Sequence, residues 1–534
     1  MSEISAAASA FPSEAAVIEQ LKQQLVKREQ QLASTEQRLQ NAELKIQVLE
    51  ERLRLRRIEK YGAGSEKLSN LQLEMLEQEP GVSPAEVQAE SERPVIAGDM
   101  IAVAGYQRPT RRRHPGRQTL PADLPRVEKV IACPAEQCVC GKCGQETAVI
   151  GYEVSEQLDV EPANYFVLVS KREKRGCRNR GCTSGESKIV TAPLPVRIIE
   201  KSIVSDRVVI DTVIHKYCDH LPLYRQSAIL KREWGIEISR ATLDGWVLQV
   251  GEMLQPLVEV VGRELVQGSY LQADETPVEV QMHDGRGKNH QAYLWQYGRP
   301  GGATVFDFRL GRDRAGPKQF LANFQGILQT DAYAAYDKVG GSGMVHACCW
   351  AHARRGFAHA VKLNPGDPVA SPIVALINDL FAVDGEAREQ GLTVEGRHRL
   401  RQQRAPALME KIQEAIEAAK PGALPGGTLE KACAYVLGIW PKLTCFLDYP
   451  ELELSNNLAE NSMRPLVLGR KNWIHIGSAQ AGSKVAAILS VIESCRRLKV
   501  SARGYLSDVL PGLANTRLKF LSALTPTAWA AQHP

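Results

Sequence analysis

The stretch from residue 268 to residue 360 constrains the fold of this 534-residue chain most, because strand-like and helix-like segments follow one another there in a definite order. Three strand-like segments with short connections come first: GSYLQADETPVEVQ, QAYLWQYGR and ATVFDFRL. A helix (AGPKQFLANF), a strand running into a helix (GILQTDAYAAYDKV) and a strand followed by a helix (VHACCWAHARRGFAHAV) come next. We therefore expect three antiparallel strands, extended by further strands that are joined through helices.

Two acidic residues lie on strands that this order makes neighbours. The order is that of a ribonuclease-H-like fold, in which the first and fourth strands lie side by side. Asp274 lies in the first strand and Asp331 ends the fourth, so we expect both carboxylates to face one cleft. Glu275 should point to the opposite face of its strand, since side chains alternate. Glu460 lies on a later helix that can pack against the same edge.

Three carboxylates that converge on one cleft repel one another unless cations lie between them. Two Mg²⁺ ions roughly 3.5–4 Å apart, with Mn²⁺ as a substitute, would offset that repulsion and create a phosphoryl-transfer site. Carboxylate oxygens are among the ligands that Mg²⁺ prefers. Asp274, Asp331 and Glu460 are therefore the predicted catalytic residues and magnesium ligands.

Glu460 stands alone as an acid in a strongly basic segment. Taken by itself, the segment allows two interpretations: a helix pair between Glu460 and Arg464, four residues apart, or a metal ligand beside a phosphate backbone. We expect Pro465 to end this helix, and Trp473 to be either a core residue or a base-stacking platform. The basic residues that we expect to contact DNA phosphates here are Arg464, Arg470 and Lys471.

Composition and charge favour a soluble protein with a polyanionic partner. The chain is 44% hydrophobic and 24% charged, which is ordinary for globular proteins, and no apolar run reaches the length of a membrane span. The first residues lack the features of a secretion signal, so we expect a cytoplasmic protein. The net charge is +5. Basic clusters at 52–60, 107–117, 171–180 and 464–471 suit a polyanion that touches several modules, although each cluster alone could be a solvated face.

Residues 14–60 are predicted to form one long helix with a heptad repeat. No Pro or Gly interrupts it, and one seam column is fully apolar: Ile18, Leu25, Leu32, Leu39, Ile46 and Leu53. We expect a coiled coil (a leucine zipper) that makes the protein a homodimer or a higher oligomer. A single amphipathic helix lying on the body of the protein is the alternative. Residues 61–130 are expected to be a flexible linker, acidic and then basic, with frequent prolines.

Six of the 12 cysteines lie between residues 133 and 182, which favours metal binding over disulfides in a chain without an export signal. Residues 131–190 are therefore predicted to be a zinc-ribbon module with one structural Zn²⁺. Its expected ligands are Cys140, Cys143, Cys177 and Cys182. The second pair is separated by four residues instead of the usual two, and Cys133 or Cys138 could complete the site in place of Cys182.

Residues 199–262 are predicted to be a helical DNA-binding segment. Three helices follow one another; Gly235 ends the second and Ser239 caps the third. The last two are similar to a helix-turn-helix with Arg240 near the start of its second helix, although any helical bundle gives a similar pattern. Residues 268–480 form the predicted α/β catalytic domain with a helical insertion at about 361–450. Residues 482–534 form a C-terminal helical segment.

A collinear series of motifs resembles the transposases of the insertion-sequence-66 family, which are bacterial DDE enzymes. The motifs run over nearly the whole chain: KYGAGSEKL, GRQTLPADLPRVE, CGKCG, HLPLYRQ, ISRATLDGWV, ADETPVEV, LQTDAYAAYD, CWAHARRGF and NNLAENSMRPLVLGRKNWIHIGS. The resemblance implies that Asp274, Asp331 and Glu460 form the DDE triad. It also implies a motif near the active site that contains Cys349, His352, Arg354 and Arg355.

Two points about these motifs stay open. From the residues alone, CWAHARR indicates a basic helix face, and a metal role for Cys349 and His352 is the alternative. Asn461 follows the third acid where many relatives carry Arg, so one phosphate contact is expected to be missing. Outside the segment around Glu460, the residues expected to contact DNA are His352, Arg354, Arg355, Arg240, Arg111, Arg112 and Arg113.

The resemblance implies a transposase that binds the terminal inverted repeats of an insertion sequence, cuts DNA 3′ ends and transfers the strands with the help of metal ions. Water and then the 3′-OH would be the nucleophiles. The alternatives are a metal-dependent nuclease without strand transfer and a catalytically inactive DNA-binding regulator. Besides DNA, the expected partners are further copies of the chain and small accessory proteins of the same element, and no membrane partner is expected.

Overall fold

The computed structural model describes residues 14–61, 165–168, 174–175, 190–191, 196–200, 202–282, 287–364 and 367–533. The chain divides into two units, residues 1–93 with 172–534 and residues 94–171, and only residues 165–168 of the second are described. The six clustered cysteines, the linker arginines at 111–113 and nearly all of the predicted linker lie outside the described residues. The predictions made for them stay predictions.

The first helix, α1, runs without interruption from Glu14 to Tyr61, as the repeat predicts. The described side chains of its apolar column are exposed: Leu25, Leu32, Leu39, Ile46 and Leu53. Near the carboxyl end of α1, the Glu51 carboxylate accepts a hydrogen bond of 2.8 Å from the Thr428 amide. One side of α1 therefore meets the rest of the chain while its apolar column stays open, and the coiled coil stays a prediction.

Three helices follow, and their ends agree with the predicted turn chemistry. They are α2 (Asp206–Tyr217), α3 (Leu223–Trp234) and α4 (Arg240–Val266). Gly235 ends α3 with φ of 66°, a left-handed conformation that glycine adopts without strain. The Ser239 hydroxyl caps α4 by accepting a hydrogen bond of 3.1 Å from the Thr242 amide. Arg240, the first residue of α4, is exposed.

A mixed sheet lies at the centre of the larger unit. Its strands are β3 (Tyr270–Val280), β4 (His290–Gly298), β5 (Thr304–Arg309), β6 (Ile327–Thr330) and β7 (Val345–Cys348). The spatial order is β5-β4-β3-β6-β7, with β3, β4 and β5 antiparallel and β6 and β7 parallel to β3. The predicted antiparallel triplet and the pairing of the first and fourth strands are confirmed. A separate two-stranded ladder joins β1 (Lys174–Arg175) to β2 (Val190–Thr191).

The connection after β6 differs from the prediction of a strand that runs into a helix. A short helix, α5 (Ala315–Leu321), precedes β6 as expected, but only one 3₁₀ turn, Ala334–Tyr336, follows it. Ala332 has φ of 71°, which no helix accommodates. Tyr336 is fully buried, with its ring 5.5 Å from that of Trp295. Packing of this tyrosine under the sheet therefore replaces the helix with a tight turn.

The helical insertion shares one hydrophobic core with the parallel side of the sheet. α6 (Trp350–Leu363) follows β7, and the helices of the insertion are α7 (Ala370–Glu389), α8 (Val394–Gly422), α9 (Thr428–Gly438) and α10 (Trp440–Thr444). Trp350, Phe357, Ile377, Ile412 and Val436 are buried together with the strand residue Ile327. The predicted break in KPGALPGG, residues 420–427, begins in the last turn of α8 and ends just before α9.

The last part of the chain returns to the sheet. It contains α11 (Asn457–Trp473), β8 (His475–Ile476), α12 (Ala479–Arg497), α13 (Ala502–Leu513) and α14 (Pro526–Gln532). β8 pairs with the end of β3. The Ser490 and Ser494 hydroxyls on α12 accept the amides of Phe306 and Thr304 at 2.8 and 3.0 Å, which satisfies backbone donors on the edge strand β5.

Pro465 does not end the helix that carries Glu460, so that prediction is wrong. α11 continues through Pro465 to Trp473. Proline supplies no amide for the carbonyl four residues earlier, that of Asn461. The Arg496 guanidinium lies 3.4 Å from this carbonyl oxygen and donates to it from α12. A tertiary donor thus stands in for the missing helical one.

No helix in the described part of the chain combines the length and apolarity that a bilayer crossing requires.

Candidate active site

The first two acids lie at the same level on neighbouring parallel strands. The register of β3 and β6 pairs Gln272 with Gln329. Asp274 and Asp331 each come two residues after these glutamines, so both acids lie just past the end of the β3–β6 ladder, at the edge of the sheet where β6 stops at Thr330 and β3 continues to Val280. The Asp274 carboxylate accepts a hydrogen bond of 2.9 Å from the Glu275 amide.

The third acid reaches this edge because Asn456 fixes the start of α11. Asn456 is fully buried. Its side-chain amide donates to the Ala273 carbonyl at 3.3 Å, next to Asp274 in the chain. Its backbone amide lies 3.4 Å from the Cys349 sulfur, which accepts the bond. Glu460 lies in the first turn of α11, immediately after this anchor.

The pKa of Asp274 reports how close the acids are. Burial raises it well above its usual range, and the charges of Glu460, Glu275 and Asp331 raise it further, in that order. A carboxylate whose pKa is raised by other carboxylates is one whose ionised form lacks a cation. The ion pairs at the described part of the cleft are those of Glu275 with Arg312 and of Glu460 with Arg355 and His352, and no basic side chain described there pairs with Asp274 or Asp331.

Glu460 pairs with α6 and not with Arg464. Its carboxylate lies 3.1 Å from His352 Nε2 and 3.1 Å from Arg355 Nη2. Burial lowers the pKa of His352, and the Glu460 charge acts against that effect. Of the two interpretations of the basic segment, the helix pair with Arg464 is not formed. The CWAHARR motif and the third acid are in direct contact.

Cys349, the other residue considered for a metal role, is a buried thiol. It is fully buried and accepts the Asn456 amide. Burial raises its pKa to about 12. The metal role considered for Cys349 stays a prediction.

The donor set suits divalent cations, although the acids are not closed around one. Within the described residues, no group of three His, Cys, Asp or Glu side chains is close enough to hold a metal as it stands. The charges of neighbouring acids raise the pKa of Asp274, and a bound Mg²⁺ or Mn²⁺ would offset this repulsion. Carboxylates are suitable ligands for these ions. Glu460 would exchange part of its contact with His352 and Arg355 for such an ion.

Four contacts hold the turn that carries Asp331. The Tyr333 amide donates to its carboxylate at 2.9 Å, and the Tyr435 hydroxyl, from α9, donates to its carbonyl at 2.7 Å. The Thr330 hydroxyl accepts the amide of Ala332 at 3.1 Å and lies 2.9 Å from His346 Nε2. Ala332, in this turn, has a positive φ of 71°, which is strained for a residue other than glycine. The four contacts hold the turn in this conformation.

Glu275 has its own set of partners. Its carboxylate lies 2.6 Å from Arg312 and accepts a hydrogen bond of 2.7 Å from the Tyr336 hydroxyl. The Arg312 guanidinium lies 4.1 Å from the ring centre of Tyr333. Glu275 is thus neutralised within the chain, in contrast to Asp274 beside it.

The residues expected to contact DNA divide into two groups. Arg355, Arg464, Lys471 and Arg240 are exposed. Arg354 is buried, and its Nε donates to Asn378 at 2.5 Å. Arg470 donates to the Thr276 hydroxyl at 2.9 Å and to the Pro277 carbonyl.

Arg354 and Arg470 therefore join elements to one another, and direct DNA contact by either is not supported. A sequence does not show on which face of a helix a basic residue lies, so DNA contact by Arg354 and Arg470 stays a prediction. Trp473 is partly buried.

Sequence reasoning missed the buried polar residues that connect the three acids. These are Gln272, Gln329, Glu453, Asn456 and Tyr435. A signal for the glutamines was present, because LQAD and LQTD repeat one pattern in two apolar strands. A glutamine at an inward strand position requires a partner, and here that partner is the segment before α11. The others gave no local signal.

The fold and site define an α/β protein with a mixed sheet, in which Asp274 on β3 and Asp331 at the end of β6 lie past the last residue pair of the β3–β6 ladder. Residues 201–484 match the family described as transposase IS66 family. Residues 48–128 match a family described as transposase C of IS166 homeodomain, and residues 137–179 the zinc-finger binding domain of transposase IS66.

Two relatives match this chain over most of their own length. The protein named uncharacterized protein y4jD, from Sinorhizobium fredii, is 30% identical over 88% of this chain and 92% of its own length. Uncharacterized protein y4qI from the same organism is 30% identical over 85% of this chain and 84% of its own. The chain belongs to the IS66 family of transposases. Membership implies DNA as a partner and both divalent metal and zinc as cofactors.

Proposed function

We propose that this protein is an active transposase that binds the inverted repeats of its element, cuts DNA 3′ ends and joins them to target DNA. The proposal is supported by the raised pKa of Asp274, to which burial and the charges of Glu460 and Asp331 contribute, and by the lack of a basic partner for Asp274 and Asp331 among the described residues. The strand order β5-β4-β3-β6-β7 supports the expected ribonuclease-H-like core.

Asp274, Asp331 and Glu460 would hold two Mg²⁺ or Mn²⁺ ions, which activate the attacking oxygen and stabilise the leaving 3′ oxygen when bound. The protein's own part is to place these oxygens. The turn contacts of Asp331 and the Asn456 anchor of α11 fix where the carboxylates lie. His352 and Arg355 hold the Glu460 carboxylate from the opposite side, so that its charge is partly balanced before ions and DNA arrive.

One face of α11 carries basic residues that could bind DNA phosphates leading away from the cleft. Arg464 and Lys471 come four and eleven residues after Glu460, which places them on the same face of the helix. Both are exposed. At 1.5 Å per residue, Lys471 lies about 16 Å from Glu460 along the helix axis, the length of about five base pairs at 3.4 Å each. We infer that phosphates of the bound end follow this face, with Arg355 and Arg240 as further contacts.

The cysteine module is proposed to bind one structural Zn²⁺. The zinc-finger match covers residues 137–179 and so contains Cys138, Cys140, Cys143 and Cys177. Cys182 lies outside it. The match supports Cys140, Cys143 and Cys177 as ligands and leaves the fourth position between Cys182 and its nearby alternatives. The arginines at 111–113, within residues 48–128, remain proposed DNA contacts.

The proposal predicts that Asp331→Asn abolishes end cleavage while end binding survives, because the amide removes a charged ligand without changing shape. The measurement is cleavage of a labelled duplex that carries the element end, with Mg²⁺ or Mn²⁺ and with EDTA, beside a gel-shift assay. Glu279→Gln is the matched control, because Glu279 is an exposed acid on the same strand β3 as Asp274. Cleavage by Asp331→Asn at the normal rate would refute the triad.

Strand transfer with pre-cut ends tests the second half of the function. Joined products are expected from the unaltered protein and not from Asp331→Asn. Cleavage without any joining would identify a nuclease, and binding without either reaction a regulator.

A further inference from the structure

Residues 450–456 connect the helical insertion to α11, and side chains of the sheet form hydrogen bonds with their backbone. The Gln329 side chain donates to the Glu453 carbonyl at 2.6 Å, and the Gln272 side chain donates to the Ser455 carbonyl at 2.9 Å. The Tyr270 hydroxyl accepts the Glu453 amide at 3.3 Å. Because the two glutamines precede Asp274 and Asp331, the side chains that hold this segment lie two residues before the acids themselves.

The insertion grips the same segment from the other side. The Glu453 carboxylate lies 2.9 Å from Arg388 on α7 and 2.6 Å from Arg397 on α8. Arg397 also donates to the Pro450 carbonyl at 3.0 Å, and Arg401 donates to the Leu452 carbonyl at 2.8 Å. Glu453 and Arg397 are each only 12% exposed. Ion pairs with so little contact to water keep their geometry, because separating the two partners would leave a buried charge without compensation.

The position of α11 follows from these contacts. The segment ends at Asn456, which precedes the first residue of the helix and is anchored to the Ala273 carbonyl, and Glu460 comes one turn later. A shift of residues 453–456 would therefore move Glu460 relative to Asp274. The grip on Glu453 includes two helices of the insertion, although neither of them contributes an acid to the cleft.

We propose that Glu453 is a positioning residue, and that its ion pairs with Arg388 and Arg397 make the helical insertion a clamp that sets the distance of Glu460 from Asp274 and Asp331. The catalytic consequence rests on the proposed function, whereas the clamp itself rests on the geometry alone. The insertion is thereby assigned a part in the reaction without contact to the reacting atoms.

The test uses Glu453→Gln, which keeps the size of the side chain and removes its charge, and the milder Arg388→Gln. The matched control is Glu386→Gln. Glu386 pairs with Arg404 and so joins the same two helices, α7 and α8, but on the surface and without contact to residues 450–456.

Two readouts separate a positioning role from a purely structural one. In Glu453→Gln, the first-order rate of end cleavage at saturating protein should fall about tenfold or more, since misplacement by about 1 Å can cost on the order of 100-fold. The Kd for end DNA should stay within about twofold. Hydrogen exchange should accelerate in residues 453–460 and not in the cores of α7 and α8. Arg388→Gln should change both readouts in the same direction but less, and Glu386→Gln neither.

Each other result counts against the clamp. Normal cleavage and normal exchange in Glu453→Gln would overturn it, as would an equal loss in Glu386→Gln. Faster exchange throughout α7 and α8 would show a stability effect and would also overturn it. Should the unaltered protein cleave no element end, the proposed function fails, while the exchange readout still decides whether Glu453 holds the start of α11.

Discussion

The neighbouring acids Asp274 and Glu275 differ in whether the chain supplies a basic partner for the carboxylate. Glu275 pairs with Arg312 and accepts a hydrogen bond from the Tyr336 hydroxyl, whereas Asp274 beside it accepts the Glu275 amide and has no basic partner among the described residues. Alternation along a strand sends the two side chains to different faces. One residue step therefore separates an acid that is satisfied within the chain from one that is left for an external cation.

At the same scale, His346 is expected to make stability depend on pH. It is buried next to Lys442, and burial first, then the Lys442 charge, lower its pKa to about 4 against the opposing charges of Asp337 and Asp331. In the unfolded chain this histidine has an ordinary pKa of about 6.5. Between about pH 4 and pH 6.5 the unfolded chain therefore binds a proton here that the folded chain does not. Stability from this group is complete above about pH 6.5 and is lost as the pH falls toward 4, by up to about 3 kcal/mol.

Urea unfolding at pH 7.5, 6 and 5 measures this dependence. His346→Gln should flatten the loss of unfolding free energy over that range, whereas a change of the exposed His533 to Gln should leave it as it is. A pH profile of His346→Gln identical to that of the unaltered protein would contradict the assignment.

At the scale of elements, α7 and α8 are joined by a buried ion pair. Arg401 and Asp384 are 1% and 2% exposed and meet through two contacts of 2.7 and 2.5 Å. Arg401 also donates to Leu452 and lies 5.5 Å from the ring centre of Phe446. This pair connects the hydrophobic core of the insertion to the segment that leads to α11, so the insertion is built as one piece with the third acid.

Arg401→Met is expected to lower the unfolding free energy by about 3–5 kcal/mol, because it leaves the Asp384 carboxylate buried without a partner. Combining it with Asp384→Leu should recover most of that loss, since an apolar pair of similar volume is often tolerated in place of a buried ion pair. Urea midpoints of the two variants provide the measurement. A single variant that loses less than about 1 kcal/mol would mean that water reaches this pair.

At the scale of the whole molecule, α1 carries the largest exposed apolar column among the described residues. The five described leucines and isoleucines of that column are 55–63% exposed. Such a column, repeated every seven residues, is suited to burial against another helix. The contact between Glu51 and Thr428 leaves this column uncovered, which favours self-association over the alternative of a helix lying flat on the body.

Self-association is expected to disappear when Leu32→Lys and Leu39→Lys are combined, because two buried charges per helix oppose a coiled coil. Analytical ultracentrifugation of the full chain measures the change from dimer or higher oligomer to monomer. Ala33→Lys with Gln40→Lys adds the same charge off the seam and should preserve the oligomer. An unchanged mass for the seam variant would mean that another surface joins the copies.

Much of the fold could be predicted because its signals are local. The heptad gave α1, the Ser239 and Gly235 caps gave helix ends, and strand-like segments in sequence gave the pairing of β3 with β6. The common edge for Asp274 and Asp331 followed from that pairing. What failed, such as the ending of α11 at Pro465, depended on a donor from another helix that no local pattern contains.

The sequence by itself determined most of the strands and helices, and that Asp274 lies on one strand and Asp331 after another, because those properties depend on side chains within a turn or a strand. Only the tertiary structure decided that Glu460 faces His352 and Arg355, and that Glu453 is held by the insertion. The partners in these contacts are 105 and 65 residues apart in the chain for Arg355 with Glu460 and Arg388 with Glu453. Charge pairing at such separations is chosen by packing, since any of many basic residues could satisfy a carboxylate until the core fixes which one is near.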